Sequence, residues 1–213
     1  METFKKLITI FFFFSMAFAS PETKGSKATK VVIVGDSLSA GYGVAKENAY
    51  PAIMKKLLKE KHSLDIDILN GSVSGSTTSS LMSRLRWYKK TKPDIVIIAL
   101  GANDGLRGVP VDVITKNLDE GIKFAKKMSK NVFLMGMLLP LNYGDKYRSE
   151  FEKTFVDLSE KHKINLMPFL LKDIAGVKKY NQEDGIHPNP LGHEVVAKNV
   201  TKALKKVIDA KNK

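Results

Sequence analysis

The sequence predicts an α/β sandwich on a parallel sheet, and three observations lead there. Five short apolar segments, each bounded by turn or charged residues, alternate with stretches whose apolar residues recur at helical spacing. The first apolar segment is hydrophobic at every position, as in a strand covered on both faces. Parallel neighbours need crossover connections, and helices placed in those crossovers cover the two faces of the sheet.

Taken in order, the strands are Val31-Val32-Ile33-Val34, ending at Gly35, then 64–69, 95–100, 132–139 and 164–169. The second alternates Leu64-Asp65-Ile66-Asp67-Ile68-Leu69, so it is placed at an edge with one solvated side. The helices are expected over 47–61, 76–90, 111–129, 145–162 and 190–210. In such a sheet a ligand site lies at the carboxyl ends of the strands.

The chain before the first strand is read separately. Lys5 and Lys6 precede an apolar run, and Ala17-Phe18-Ala19 offers the small residues a signal peptidase accepts. The apolar stretch of about 13 residues is short of the roughly 20 that span a bilayer. Residues 1–19 are therefore expected to be a cleaved signal peptide, 20–30 a flexible linker and 31–213 one domain, exported to the periplasm or the outside of the cell. The chain has no cysteine, which excludes a disulfide framework, thiolate chemistry and a lipid-attachment cysteine. A composition of 43% hydrophobic and 27% charged residues suits one globular core.

The net charge of +13 falls by one unit when Glu2, Lys5 and Lys6 leave with the leader. Such a field favours encounter with anionic partners, including phospholipid headgroups. The lysines are scattered over helix faces rather than massed in one block, which is more simply the pattern of a solvated surface.

Four segments at strand ends carry the chemistry. Gly35-Asp36-Ser37-Leu38 puts a hydroxyl at the end of the first strand, where it suits a nucleophile and a helix N-cap about equally. Asn70 to Thr77 includes Gly75, whose N–H suits an oxyanion donor, although a plain loop reads as well. Gly101-Ala102-Asn103-Asp104 offers the Asn103 amide as a neutral donor or as a turn residue. Asp184-Gly185-Ile186-His187-Pro188 is sharper: at that spacing the carboxylate fixes one imidazole nitrogen and leaves the other to accept a proton from Ser37. His62, His162 and His193 sit in helix patterns and are weaker candidates. The conjunction at one sheet edge points to acyl transfer. Ser37 would be nucleophile, His187 base and Asp184 its orienting partner, with an oxyanion hole from the N–H groups of Ser37 and Gly75 and the Asn103 amide.

These four blocks, in this order, resemble the SGNH or GDSL hydrolase family, and the match covers nearly all of the chain after the leader. Asn103-Asp104-Gly105-Leu106-Arg107-Gly108 and Leu139-Pro140-Leu141-Asn142-Tyr143-Gly144 are similar to its periplasmic thioesterase, lysophospholipase and arylesterase subgroup, the latter segment to that subgroup's substrate-gating loop. The resemblance implies a flavodoxin-like three-layer α/β/α fold with a five-stranded parallel sheet, hydrolysis of acyl esters or thioesters, and no metal or cofactor. Relatives often carry aspartate after the second-block glycine, where this chain has Ser76.

The segment 135–147 follows the fourth strand at the same edge, and Leu138, Leu139, Pro140, Leu141 and Tyr143 are the expected acyl-chain contacts; strand-end core residues would look the same. The expected partners are a small-molecule or lipid acyl ester or thioester and transiently an anionic membrane surface, with no nucleic acid, and the chain is expected to be a monomer. A carbohydrate O-deacetylase on the same apparatus and an anion-binding module without turnover are the competing readings. The latter lacks a phosphate-cradling glycine loop and has no need of the Asp184 and His187 pair.

Overall fold

Five strands, β1 (Thr29–Gly35), β2 (Ile66–Asn70), β3 (Ile95–Ala99), β4 (Asn131–Met135) and β5 (Asn165–Met167), form one sheet in the order β2-β1-β3-β4-β5. Every pairing is parallel. The arrangement comes from a computed structural model describing residues 28–211, so the expected leader and all but the end of the expected linker lie outside the described residues. β1 starts at Thr29, two residues before the apolar run, because Thr29 and Lys30 pair with Ile66 and Asp67 of the edge strand.

The central strands explain their own composition. Val31 to Val34 and Ile95 to Leu100 are fully buried, since helices cover both faces. One layer holds α2 (Tyr50–His62) and α7 (Pro190–Lys211), packed on each other. The other holds α3 (Leu81–Tyr88), α5 (Val111–Met128) and α6 (Asp145–His162). The result is the expected three-layer α/β/α sandwich with β2 at an edge. Two short helices, α1 (Ser37–Ala40) and α4 (Ala102–Leu106), start directly after β1 and β3. No helix among the described residues is long and apolar enough to cross a membrane.

Some boundaries differ from the sequence reading, each for a local reason. The helix expected from Ser76 starts as a 3-10 turn at Thr78, because the Asp104 carboxylate accepts from the Thr78 N–H (2.9 Å) and hydroxyl (2.6 Å) and holds Thr77 extended. The helix expected from Glu47 starts at Tyr50, with Pro51 in the first turn, where its missing N–H costs nothing. β4 stops at Met135 rather than Leu139. Gly136 has the Pro168 carbonyl against the place a Cβ would occupy, and the chain then leaves the sheet across the sheet's carboxyl edge.

Candidate active site

Ser37 sits where β1 becomes α1. Asp36 is the cap of α1, its Oδ1 accepting from the Leu38 N–H at 3.0 Å, so Ser37 occupies the first helical position and its hydroxyl is left for other work. A β-carbon on Gly35 would press on Ser39 Oγ at 2.7 Å and Ser72 Oγ at 2.9 Å, so only glycine lets the strand end this close to its neighbours.

The loop before α7 brings the other two groups. Ser37 Oγ lies 2.9 Å from His187 Nε2, and His187 Nδ1 lies 2.7 Å from Asp184 Oδ2. Asp184 Oδ1 also accepts the N–H groups of Ile186 and His187, both at 3.0 Å. Partial burial opposes ionisation of Asp184, but the hydrogen bonds from His187 and Ile186 outweigh it and hold the carboxyl below its ordinary value. An ionised carboxylate only accepts, so Nδ1 carries the ring proton. Nε2 is then the acceptor, and the Ser37 hydroxyl donates to it.

Gln182 joins the loops. Its side-chain amide donates to the carbonyls of Tyr42 and Pro188, and its N–H donates to the His187 carbonyl. The Tyr42 ring packs 4.7 Å from the imidazole. Sequence reading missed Gln182, whose only signal is its closeness to the Asp-His block.

The N–H groups of Ser37 and Gly75 donate to no described residue. For Ser37 this follows from its place in the first turn of a helix. Gly75 has φ +77, a conformation that glycine adopts freely. Asn103 gives one amide hydrogen to the Ser76 carbonyl at 3.1 Å, which fixes the amide and leaves its second hydrogen. The Thr78 bonds to Asp104 and the Asn117 amide on the Thr78 hydroxyl tie the Gly75 loop to the Asn103 loop. The bracing role of Asp104, and Thr78 and Asn117 themselves, went unnoticed in the sequence, since nothing local announces partners 26 and 39 residues apart.

From Ser37, Asn103 and His187 a cleft of about 690 Å³ opens. It is walled mainly by apolar side chains, among them Met137, Phe169, Leu171 and Ile186. Leu138, Leu139, Pro140 and Leu141 all line it. Tyr143 does not: its hydroxyl donates to the Leu106 carbonyl at 2.9 Å. The other histidines are placed elsewhere. His162 is buried against Asp119 at 2.7 Å, His62 ends α2, and His193 is buried, accepting from the Tyr50 N–H.

Residues 33–195 match the GDSL-like lipase/acylhydrolase family. The chain is similar to an arylesterase of Vibrio mimicus, with 37% identity over 202 residues, covering 94% of this chain and 98% of that one. It is 32% identical to the thioesterase 1/protease 1/lysophospholipase L1 of Escherichia coli, over 87% of this chain and 88% of that one. Among solved structures, the psychrotrophic esterase EstA from Pseudoalteromonas sp., inhibited by monoethylphosphonate, superposes with a TM-score of 0.80 at 32% identity, covering 85% of this chain and 99% of that one.

Proposed function

The chain belongs to the GDSL-like lipase/acylhydrolase family and is a hydrolase of the esterase and thioesterase class, and from that premise we propose that it works through an acyl-enzyme on Ser37. The observation that carries the proposal is the continuous relay from Ser37 Oγ to His187 to Asp184, at 2.9 and 2.7 Å, at the end of an apolar cleft. Ser37 attacks the acyl carbonyl while its proton passes to His187 Nε2, and Asp184 stabilises the imidazolium that forms. The unpaired N–H groups of Ser37 and Gly75 and the free hydrogen of Asn103 receive the oxyanion. His187 returns the proton to the leaving oxygen or sulfur, and water then repeats the sequence on the acyl-enzyme.

The apolar lining favours a substrate with an acyl chain over an acetylated sugar. Leu138 to Leu141 and Phe169 offer the chain no polar partner but offer burial, worth about 0.8 kcal/mol per methylene. The test is hydrolysis of nitrophenyl esters and thioesters of increasing acyl length by the protein and by Ser37→Ala. Loss of turnover in the variant, together with a covalent adduct of an ethyl phosphonate on Ser37, is expected. Equal turnover by both proteins overturns the reading, and a preference confined to acetyl esters favours the deacetylase.

Export after cleavage at Ala19, to the periplasm or beyond, is part of the same proposal and is supported by the leader pattern; fractionation of the mature chain checks it. Transient contact with an anionic membrane surface is supported by Trp87, 83% exposed beside Arg86, Lys89 and Lys90. Sedimentation with anionic but not neutral vesicles, lost in Trp87→Ala, is the expected result. The enzyme is proposed to act as a monomer, which light scattering on the eluted protein checks.

A further inference from the structure

The guanidinium of Arg107 lies beside the proposed oxyanion donor Gly75. Its terminal nitrogen is 3.7 Å from the place a β-carbon on Gly75 would occupy, and no other described heavy atom outside the immediate chain comes within 4 Å of that point. The side chain is exposed and has no ion-pair or hydrogen-bond partner among the described residues. Its backbone, by contrast, is held. The Arg107 N–H ends α4 on the carbonyls of Asn103 and Asp104, both at 3.2 Å. The Tyr143 and Tyr147 hydroxyls grip the flanking carbonyls of Leu106 and Val109 at 2.9 and 2.6 Å. The clamped backbone fixes where the guanidinium is anchored, and the side chain itself is left free to meet a ligand.

Its position says which part of the substrate it meets. The acyl chain enters the apolar cleft, and neither Gly75 nor Arg107 borders that cleft. The carbonyl oxygen points at the Gly75 N–H. The leaving group departs from that same carbonyl carbon and stays outside the apolar cleft, and Arg107 is placed beside the Gly75 donor and outside that cleft as well. Building on the acyl-enzyme reading above, we infer that Arg107 is a specificity residue for leaving groups that carry a negative charge, a carboxylate or a phosphate a few bonds beyond the scissile oxygen or sulfur. The guanidinium's planar donor fork suits both.

The experiment uses three butanoyl esters with the same acyl group: one of methyl 4-hydroxybenzoate, one of 4-hydroxybenzoate and one of 4-hydroxyphenyl phosphate. The quantity read is the ratio of kcat/KM for each anionic ester to that for the neutral one, in the native protein, Arg107→Gln and Arg107→Glu. Comparing ratios between proteins cancels the intrinsic reactivities of the phenols and any general loss of folded enzyme. Arg107→Gln is expected to lower the ratio about fivefold, the size of an exposed charge pair, with the larger fall for whichever anion the site prefers. Arg107→Glu is expected to lower it further, and salt of about 1 M to bring the native ratio down to that of Arg107→Gln. A ratio unchanged across the three proteins while the neutral ester is turned over overturns this inference alone. A native protein that hydrolyses none of the three overturns the acyl-enzyme reading with it.

Discussion

Replacing Asp184 by asparagine isolates the step on which the proposed chemistry depends. The amide keeps the shape of the carboxylate, and its oxygen can keep both backbone bonds, from Ile186 and His187 at 3.0 Å each. It cannot keep the third contact. The group then 2.7 Å from His187 Nδ1 is an –NH2 donor, so Nδ1 has to become the acceptor and the ring proton moves to Nε2. The Ser37 hydroxyl, 2.9 Å from Nε2, faces an N–H where it needs a lone pair. The same exchange in a serine protease costs ~10⁴ in kcat, equivalent to about 5.5 kcal/mol of barrier. The Asp184 side chain is 39% exposed, so the fold should barely register the change, and the melting temperature serves as a control. The assay is kcat on a short nitrophenyl ester near pH 8. A variant retaining more than about a tenth of native kcat with an unchanged melting curve would refute the relay.

Three further outcomes are expected. Leu141 is 79% exposed at the cleft, so Leu141→Ala should lower kcat/KM for long acyl esters several-fold relative to butanoyl esters without loss of stability; an unchanged chain-length profile would show that the chain lies elsewhere. Thr78→Val keeps the volume but removes the 2.6 Å hydroxyl bond to the buried Asp104. It should cost about 1–3 kcal/mol in denaturant unfolding and lower kcat through the loosened Gly75 loop. The third concerns pH. Burial pushes the Asp36 carboxyl up to about 6, against the hydrogen bond from Leu38, and burial followed by the charge of His187 pushes His193 down to about 4. A raised carboxyl favours the unfolded chain as pH climbs from its ordinary value through 6, whereas a lowered imidazole costs stability as pH falls from 6.5 towards 4. The two slopes oppose each other between pH 4 and 6. Asp36→Asn should therefore steepen the rise of the urea midpoint with pH there, and His193→Asn should turn it into a fall. Midpoints that track the native protein in both variants would contradict the assignment.

The sequence by itself determined the layered α/β plan, because continuous apolar runs such as Val31 to Val34 have no stable place except a strand covered on both faces. It also determined the edge position of the aspartate-alternating strand and the pairing of Asp184 with His187, since both are written in residues close along the chain. The four chemical segments were legible one by one, each with a bland alternative beside it. Only the tertiary structure placed them relative to one another: it gave the capping role to Asp36, carried His187 across 150 residues to within 2.9 Å of Ser37, and turned the Tyr143 hydroxyl onto Leu106. Contacts of that kind depend on which loops the sheet order brings to one edge. Local propensity has no knowledge of that order, so the Thr78, Asp104 and Asn117 network, the Gln182 brace and the place of Arg107 beside Gly75 became visible only once β1, β3 and the α7 loop stood side by side.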